Sequence, residues 1–262
     1  MSTGQQPVHL IIEQFGNVRR ITINNPRKKN ALNMQAYGDL TEQLNAADRD
    51  DSVSVVVLMG VGDFYSSGND ISAILTSNQS VEERLKTSNQ KLFDMVKAFY
   101  NFSKLLIGVV NGPAIGIAAT TVILCDVLYM VDTGYFYTPF SALGLCAEGC
   151  SSYTFPQLMG RSKASEMLLL NYRMSAQEAL QFNVVAELFK QEDFEKKLWP
   201  RILKYGELPI GSIMATKQLM KRFEIDELEK ANRNEVDTLA KRWHTEEAMQ
   251  AVMNFMTRKS KM

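Results

Sequence analysis

Three short runs of apolar, largely β-branched residues constrain this chain more than any other feature: residues 53–58, Leu105–Val110 and residues 127–132. Runs of this kind suit strands buried on both faces, with no wet side to demand alternation. Turn residues follow each of the first two, Gly60-Val61-Gly62 and Asn111-Gly112-Pro113. Helical stretches separate the strands, over residues 80–102 and again from near Gly116. Short strands alternating with helices predict an α/β layered fold with parallel pairing. With 262 residues and 45% hydrophobic content, the chain suits one large domain, or one domain with a modest appendage.

The flanks of this pattern read differently. Residues 9–15 and 18–24 predict a hairpin around the turn Gly16-Asn17, which Asn25-Pro26 ends because proline cannot donate to a ladder. A helix follows from Met34, with Asn33 as its cap and Tyr37, Leu40, Leu44 and Ala47 on one face. Beyond Ser162 helical periodicity dominates, with residues 184–188 the best remaining strand signal. Past Pro209 two or three amphipathic helices are expected, packed on the core or on a sister subunit.

Charge and cysteine usage exclude several classes. Lys+Arg and Asp+Glu both number 29, so the chain lacks the broad basic field that nucleic acid or anionic membranes require. Cys125, Cys146 and Cys150 are odd in number and form no Cys-x-x-Cys pair, which suits a reducing compartment and no structural metal. No apolar run approaches the roughly 20 residues of a membrane span. Met1 to Pro7 has neither a basic–apolar leader pattern nor arginines, so no targeting leader is expected. Ser260-Lys261-Met262 is one residue from the Ser-Lys-Leu peroxisomal address, and is equally readable as a basic helix end.

Four segments could carry chemistry, and each alone is also readable as an ordinary loop. Tyr65-Ser66-Ser67-Gly68-Asn69-Asp70 follows the first buried strand, and Gly68 permits a turn that leaves the Asn69 N–H unpaired. Asn111-Gly112-Pro113-Ala114-Ile115-Gly116-Ile117 opens a helix whose first N–H groups lack intrahelical partners. Free N–H groups of this kind can hold a developing oxyanion. Cys146-Ala147-Glu148-Gly149-Cys150 sets one acid among small residues; buried there, its pKa rises, which suits a base acting on a carbon acid. Arg27-Lys28-Lys29-Asn30-Ala31-Leu32 places three cations where phosphates could be met. Other chemistries fare poorly. The only histidines are His9 and His244, and no G-x-S-x-G, H-E-x-x-H or G-x-G-x-x-G pattern occurs.

In this order the segments resemble the crotonase (enoyl-CoA hydratase/isomerase) superfamily, over roughly residues 8–258. The resemblance rests on Asn25-Pro26 with Asn30-Ala31-Leu32, on Ser67-Gly68-Asn69-Asp70, and on Asn111-Gly112-Pro113-Ala114 with Gly116. Cys125-Asp126 and Ser175-Ala176-x-Glu178-Ala179 add to it. It implies a spiral of ββα units over residues 1–200 and a helical trimerisation region over residues 201–262. It implies an oxyanion hole formed by the N–H groups of Asn69 and Ile117, with Glu148 as the catalytic residue. It also implies coenzyme A (CoA) contacts from Lys29, Ala31, Ser66, Ser67, Gly68, Asp70, Ile71 and Gly116.

Departures from the family pattern narrow the expectation. Hydratases carry two glutamates where this chain has Thr120 and Phe140. Glu148 stands where hydratases usually have glycine, and its surroundings resemble the peroxisomal Δ3,Δ2-enoyl-CoA isomerase branch. Some members of that branch carry an acyl-CoA-binding domain ahead of the isomerase domain; this sequence is expected to lack it. The resemblance therefore implies isomerisation of 3-enoyl-CoA to trans-2-enoyl-CoA in β-oxidation, with no cofactor beyond the CoA of the substrate. A homotrimer or dimer of trimers is implied, located in the peroxisome through the import receptor, or alternatively in the mitochondrial matrix or cytosol. Walls of the acyl pocket are expected from residues 75–83. Rival readings are a dienoyl-CoA isomerase, a thioester hydrolase, or a non-catalytic binding module of the same fold.

Overall fold

The structure, a computed structural model, describes residues 9–71 and 81–259. The import tripeptide, the leader reading and most of the expected acyl-pocket segment lie outside the described residues. Strands β1 (Leu10–Phe15) and β2 (Val18–Ile23) form the expected hairpin, pairing Phe15 with Val18 across a turn in which Gly16 takes a φ of 57°. Helix α1 (Met34–Arg49) starts where Asn33 accepts from the N–H groups of Gln35 and Ala36, at 3.0 and 2.9 Å. Its buried face carries Tyr37, Leu40, Leu44 and Ala47, as the spacing predicts.

Next come β3 (Val55–Gly60), α2 (Val81–Asn101) and β4 (Leu105–Val110). β5 (Ala114–Ile115), α3 (Ile117–Val122), β6 (Val127–Val131) and β7 (Tyr135–Tyr137) follow. Then come α4 (Ser151–Leu170), β8 (Arg173–Ser175), α5 (Ala176–Gln181) and β9 (Glu187–Phe189). The chain closes with α6 (Trp199–Tyr205), α7 (Ile210–Lys221), α8 (Ile225–Trp243) and α9 (Glu246–Lys259).

The main sheet runs β1-β2-β3-β4-β6-β9, parallel from β2 onward with β1 as an antiparallel edge. Its apolar runs serve two cores. Val56, Leu58 and Leu106 point into the larger cluster with α1 and α2, while Val55, Val57 and Ile107 pack on Trp199 and Ile202 of α6. Burial on both faces is why these strands show no alternation. The boundary between residues 200 and 201 falls inside α6.

Two features differ from the sequence expectation. A second sheet, β5-β7-β8, has strands of two or three residues, too short to leave a periodic signal. The late strand lies at Glu187–Phe189 rather than over residues 184–188, because Val184 and Val185 are drawn into the larger core beside α5.

The C-terminal helices dock on their own chain. Asn232 of α8 donates to Phe93 O at 3.0 Å, and Tyr100 of α2 donates to Glu229 at 2.5 Å. Arg242 Nε reaches Gly144 O at 2.8 Å, and Gly144 lies so close to Ala248 of α9 that a Cβ would fall 2.8 Å from the Ala248 Cα.

Candidate active site

Backbone pairing draws the sequence segments together. Leu32 bridges Asn69: Leu32 N–H donates to Gly68 O, and Asp70 N–H to Leu32 O, each at 2.8 Å. Ser66 bridges Ala114 in turn, with Ile115 N–H donating to Ser66 O at 3.0 Å. The basic loop, the Ser-Gly-Asn-Asp loop and the Asn-Gly-Pro-Ala segment thus form one strip. Gly68 is obligatory within it, at φ 81° with Ile115 O only 2.5 Å from where a Cβ would stand.

Two buried asparagines staple the strip to the sheet. Asn30 accepts from Asn25 N–H at 3.0 Å and donates to Val61 O and Phe64 O at 2.9 and 2.8 Å. Asn111 accepts from Gly60 N–H and donates to the carbonyls of Gly60 and Gly62.

The expected CoA-contacting residues divide by exposure. Lys29 takes a left-handed φ of 53° and holds its ammonium 4.8 Å from the Phe64 ring centre. Asp70 pairs with Lys28 at 2.7 Å, and Ser67 donates to Lys28 O at 3.0 Å. Ser66 is fully buried, and its hydroxyl donates to Asn30 O while accepting from Gly68 N–H, so it organises the loop. Ala31 is buried, Ile71 is half-buried, and Gly116 precedes α3 at φ 57°, donating to Tyr137 O.

Asn69 and Ile117 provide the candidate donors. Among the described residues neither backbone N–H has a protein acceptor. Asn69 N–H points away from the Leu32 bridge, while Ile117 opens α3, where the first N–H groups lack carbonyl partners four residues back.

Glu148 reaches this place through the next turn. Gly149, at φ 69°, lies so close to Thr120 and Ile117 that a Cβ there would stand 3.2 Å from Ile117 Cδ1 and inside contact distance of the Thr120 hydroxyl. The turn is therefore seated on α3, beside the helix end that carries the second donor. Glu148 is half-buried by its surface, but the surrounding protein strips enough water to push its carboxyl up to about 8, with the Glu235 charge adding to the rise. Thr120 and Phe140, both buried, fill the places where the resemblance puts the hydratase acids. Thr120 Oγ1 donates to Ile117 O at 3.2 Å.

Sequence reasoning missed two residues. Tyr37 of α1 is buried and its phenol is raised by burial and by the Glu148 charge. Glu235 of α8 is 5% exposed and accepts from the N–H groups of Cys150 and Ser152 at 2.7 and 2.8 Å. Its signal was present: it is an acid on the helix face that carries Leu228, Val236 and Leu239.

A separate cleft of about 820 Å³ lies between α4, α7 and the Cys125-Asp126 loop, and holds none of Asn69, Ile117 and Glu148. Among the described residues no group of three or more His, Cys, Asp or Glu side chains is placed to hold a metal ion. No described helix is long and apolar enough to cross a membrane.

Residues 13–261 match the family model described as enoyl-CoA hydratase/isomerase. The chain is 41% identical over 258 residues to enoyl-CoA delta isomerase 2 of Rattus norvegicus, covering 98% of this chain and 66% of that protein. It is 37% identical to the peroxisomal enoyl-CoA delta isomerase 3 of Mus musculus, covering 96% and 79%. The chain thus spans about two thirds of the length of the first of these relatives. Among solved structures, an enoyl-CoA hydratase/isomerase from Pseudoalteromonas atlantica T6c superposes with a TM-score of 0.87 at 26% identity, over 95% of this chain and 97% of that one. Sequence, fold and the order of the loops agree, and the chain belongs to the enoyl-CoA hydratase/isomerase (crotonase) family.

Proposed function

We propose that the chain converts 3-enoyl-CoA to trans-2-enoyl-CoA, with Glu148 as the single base. One observation carries this reading: a carboxyl held near a pKa of 8 sits on a turn packed against the helix end whose N–H is unpaired. Such a carboxyl is a stronger base than an ordinary glutamate and is matched to proton abstraction from carbon. Two relatives named enoyl-CoA delta isomerases support the reaction class.

In the proposed reaction the thioester oxygen rests on the N–H groups of Asn69 and Ile117. Glu148 takes a proton from C2, and the C2–H electrons delocalise into a dienolate whose charge sits largely on that oxygen. The two N–H groups stabilise this charge. The Glu148 carboxylic acid then returns the proton to C4, and the double bond moves from C3–C4 to C2–C3. CoA is part of the substrate, and its remote contacts with the Lys29 and Ser67–Asp70 loops orient the reacting carbons. No metal or redox group enters these steps.

A dienoyl isomerase would need a second acid. Glu235 acts on the Glu148 charge, but both its oxygens accept backbone N–H groups, which leaves it unsuited to shuttle a proton.

The C-terminal helical region is proposed to assemble a trimer or a dimer of trimers. Leu219, Met220 and Phe223, on and just after α7, are exposed and offer apolar surface for this. Peroxisomal import through Ser260-Lys261-Met262 is proposed on the tripeptide and on the peroxisomal relative. The reaction is tested by following a 3-enoyl-CoA with purified protein and detecting the 2-enoyl product by coupled conversion; no product above the uncatalysed rate contradicts it.

A further inference from the structure

We propose that Glu235 is a positioning residue that clamps the Glu148 turn from α8, holding it in place through the N–H groups of Cys150 and Ser152. The proposal rests on the reading of Glu148 as the base.

The turn needs an external hold. Gly149 and Cys150 are consecutive left-handed residues, at φ 69° and 62°. Cys150 is not glycine, and such a conformation costs about 1–3 kcal/mol unless its surroundings enforce it. Helix α4 begins at the next residue, and Cys150 makes no side-chain cap. Glu235 does that work instead. Oε2 accepts from Cys150 N–H at 2.7 Å and Oε1 from Ser152 N–H at 2.8 Å. The Cys150 thiol donates to Leu228 O, also on α8, at 3.4 Å. The base is thereby tied at its C-terminal side to a helix remote in sequence.

The chemistry of the clamp is unusual for a purely structural contact. Glu235 is almost wholly buried, and among the described residues it has no cationic partner. A buried carboxylate without a counter-ion is a costly cap, and a neutral side chain would cap more cheaply. Burial raises the Glu235 pKa, the two N–H groups oppose that rise by favouring the carboxylate, and the carboxylate charge acts on Glu148. That charge disfavours ionisation of Glu148, which strengthens it as a base. The other titratable or charged groups facing this turn are Tyr37 of α1, Tyr100 of α2, Cys146 and Cys150 of the loop itself, and Glu229 and Arg242 of α8.

The two contributions, reach and charge, separate in two variants. Glu235→Gln keeps the size, loses the charge, and turns one acceptor into a donor facing an N–H. Glu235→Asp keeps the charge and shortens the reach. The readouts are kcat, KM and the titration of Glu148 in the free protein, followed by carboxyl ¹³C NMR and assigned with Glu148→Gln. For Glu235→Gln the Glu148 midpoint falls by about half a pH unit or more as the like charge is lost. Its kcat falls about tenfold or more at similar KM as the turn loosens. For Glu235→Asp the midpoint stays raised while kcat falls. A lowered melting temperature with unchanged midpoint and unchanged kcat assigns Glu235 to capping alone and overturns the proposal. If Glu235→Gln does not fold, Glu235→Asp decides: unchanged kcat overturns it. The Glu148 titration needs no turnover, so failure of the isomerase reading is distinguishable from failure of the clamp.

Discussion

Gly149 lies against the side chain of Thr120, closer than any Cβ would permit. This contact seats the Glu148 turn on the N-terminal end of α3. In the resemblance, Thr120 stands where a hydratase carries a glutamate. The short side chain of Thr120 is the surface on which the Glu148 turn packs.

Replacing Gly149 by alanine should therefore damage the site and the fold together. The φ of 69° and the clash with Thr120 both oppose a side chain. A destabilisation of about 1–3 kcal/mol is expected from the strained conformation. A misplacement of the base by about 1 Å is expected to cost on the order of 100-fold in kcat. Chemical denaturation and initial-rate kinetics check the two effects.

The pH dependence has a defined sign. Glu148 must be ionised to take a proton, so kcat/KM should rise with pH and level off above about 8. Stability runs the other way. The folded carboxyl binds its proton more tightly than the unfolded one, so this group favours the native state below about pH 4.5 and progressively less as pH rises to about 8. Glu148→Gln removes that loss. The variant should melt at a higher temperature than the parent at pH 8–9, with the gap shrinking toward pH 5, in parallel thermal scans.

The second proposed oxyanion donor can be deleted without breaking its helix. Ile117 is the first residue of α3, a position that tolerates proline because its N–H has no intrahelical partner. Ile117→Pro should lower kcat by about 100- to 1000-fold, the usual cost of losing one such donor. Ile117→Ala keeps the N–H and loses the side chain beside Gly149, so it measures the packing contribution separately. Equal rates for the two variants would show that the N–H plays no part.

Much of this fold was legible because the strands are buried twice over. Leu105–Val110 matches its expected bounds, and Asn33 caps α1 because its side chain can meet two free N–H groups. The three-residue strands β7 and β8 left no periodic trace, and Gly160, at φ 76°, kinks α4 within its span. The site divides in the same way. Asn69, Ile117 and Glu148 lie in short runs whose order is informative, while Glu235 is 87 residues from Glu148 and reaches it only through the packing of α8 on α4. Tyr37 read as one more core position on α1, and nothing local marks its proximity to an acid.

The most direct test is Glu148→Gln, measured for turnover of 3-enoyl-CoA and for binding of a non-reactive acyl-CoA. Glutamine keeps the size of the side chain and removes the proposed base, so the CoA contacts proposed at Lys29 and Ser67–Asp70 should remain. The expected result is near-parental binding with turnover reduced by at least about 100-fold. Near-parental turnover in a folded, ligand-binding variant would contradict a one-base mechanism at Glu148.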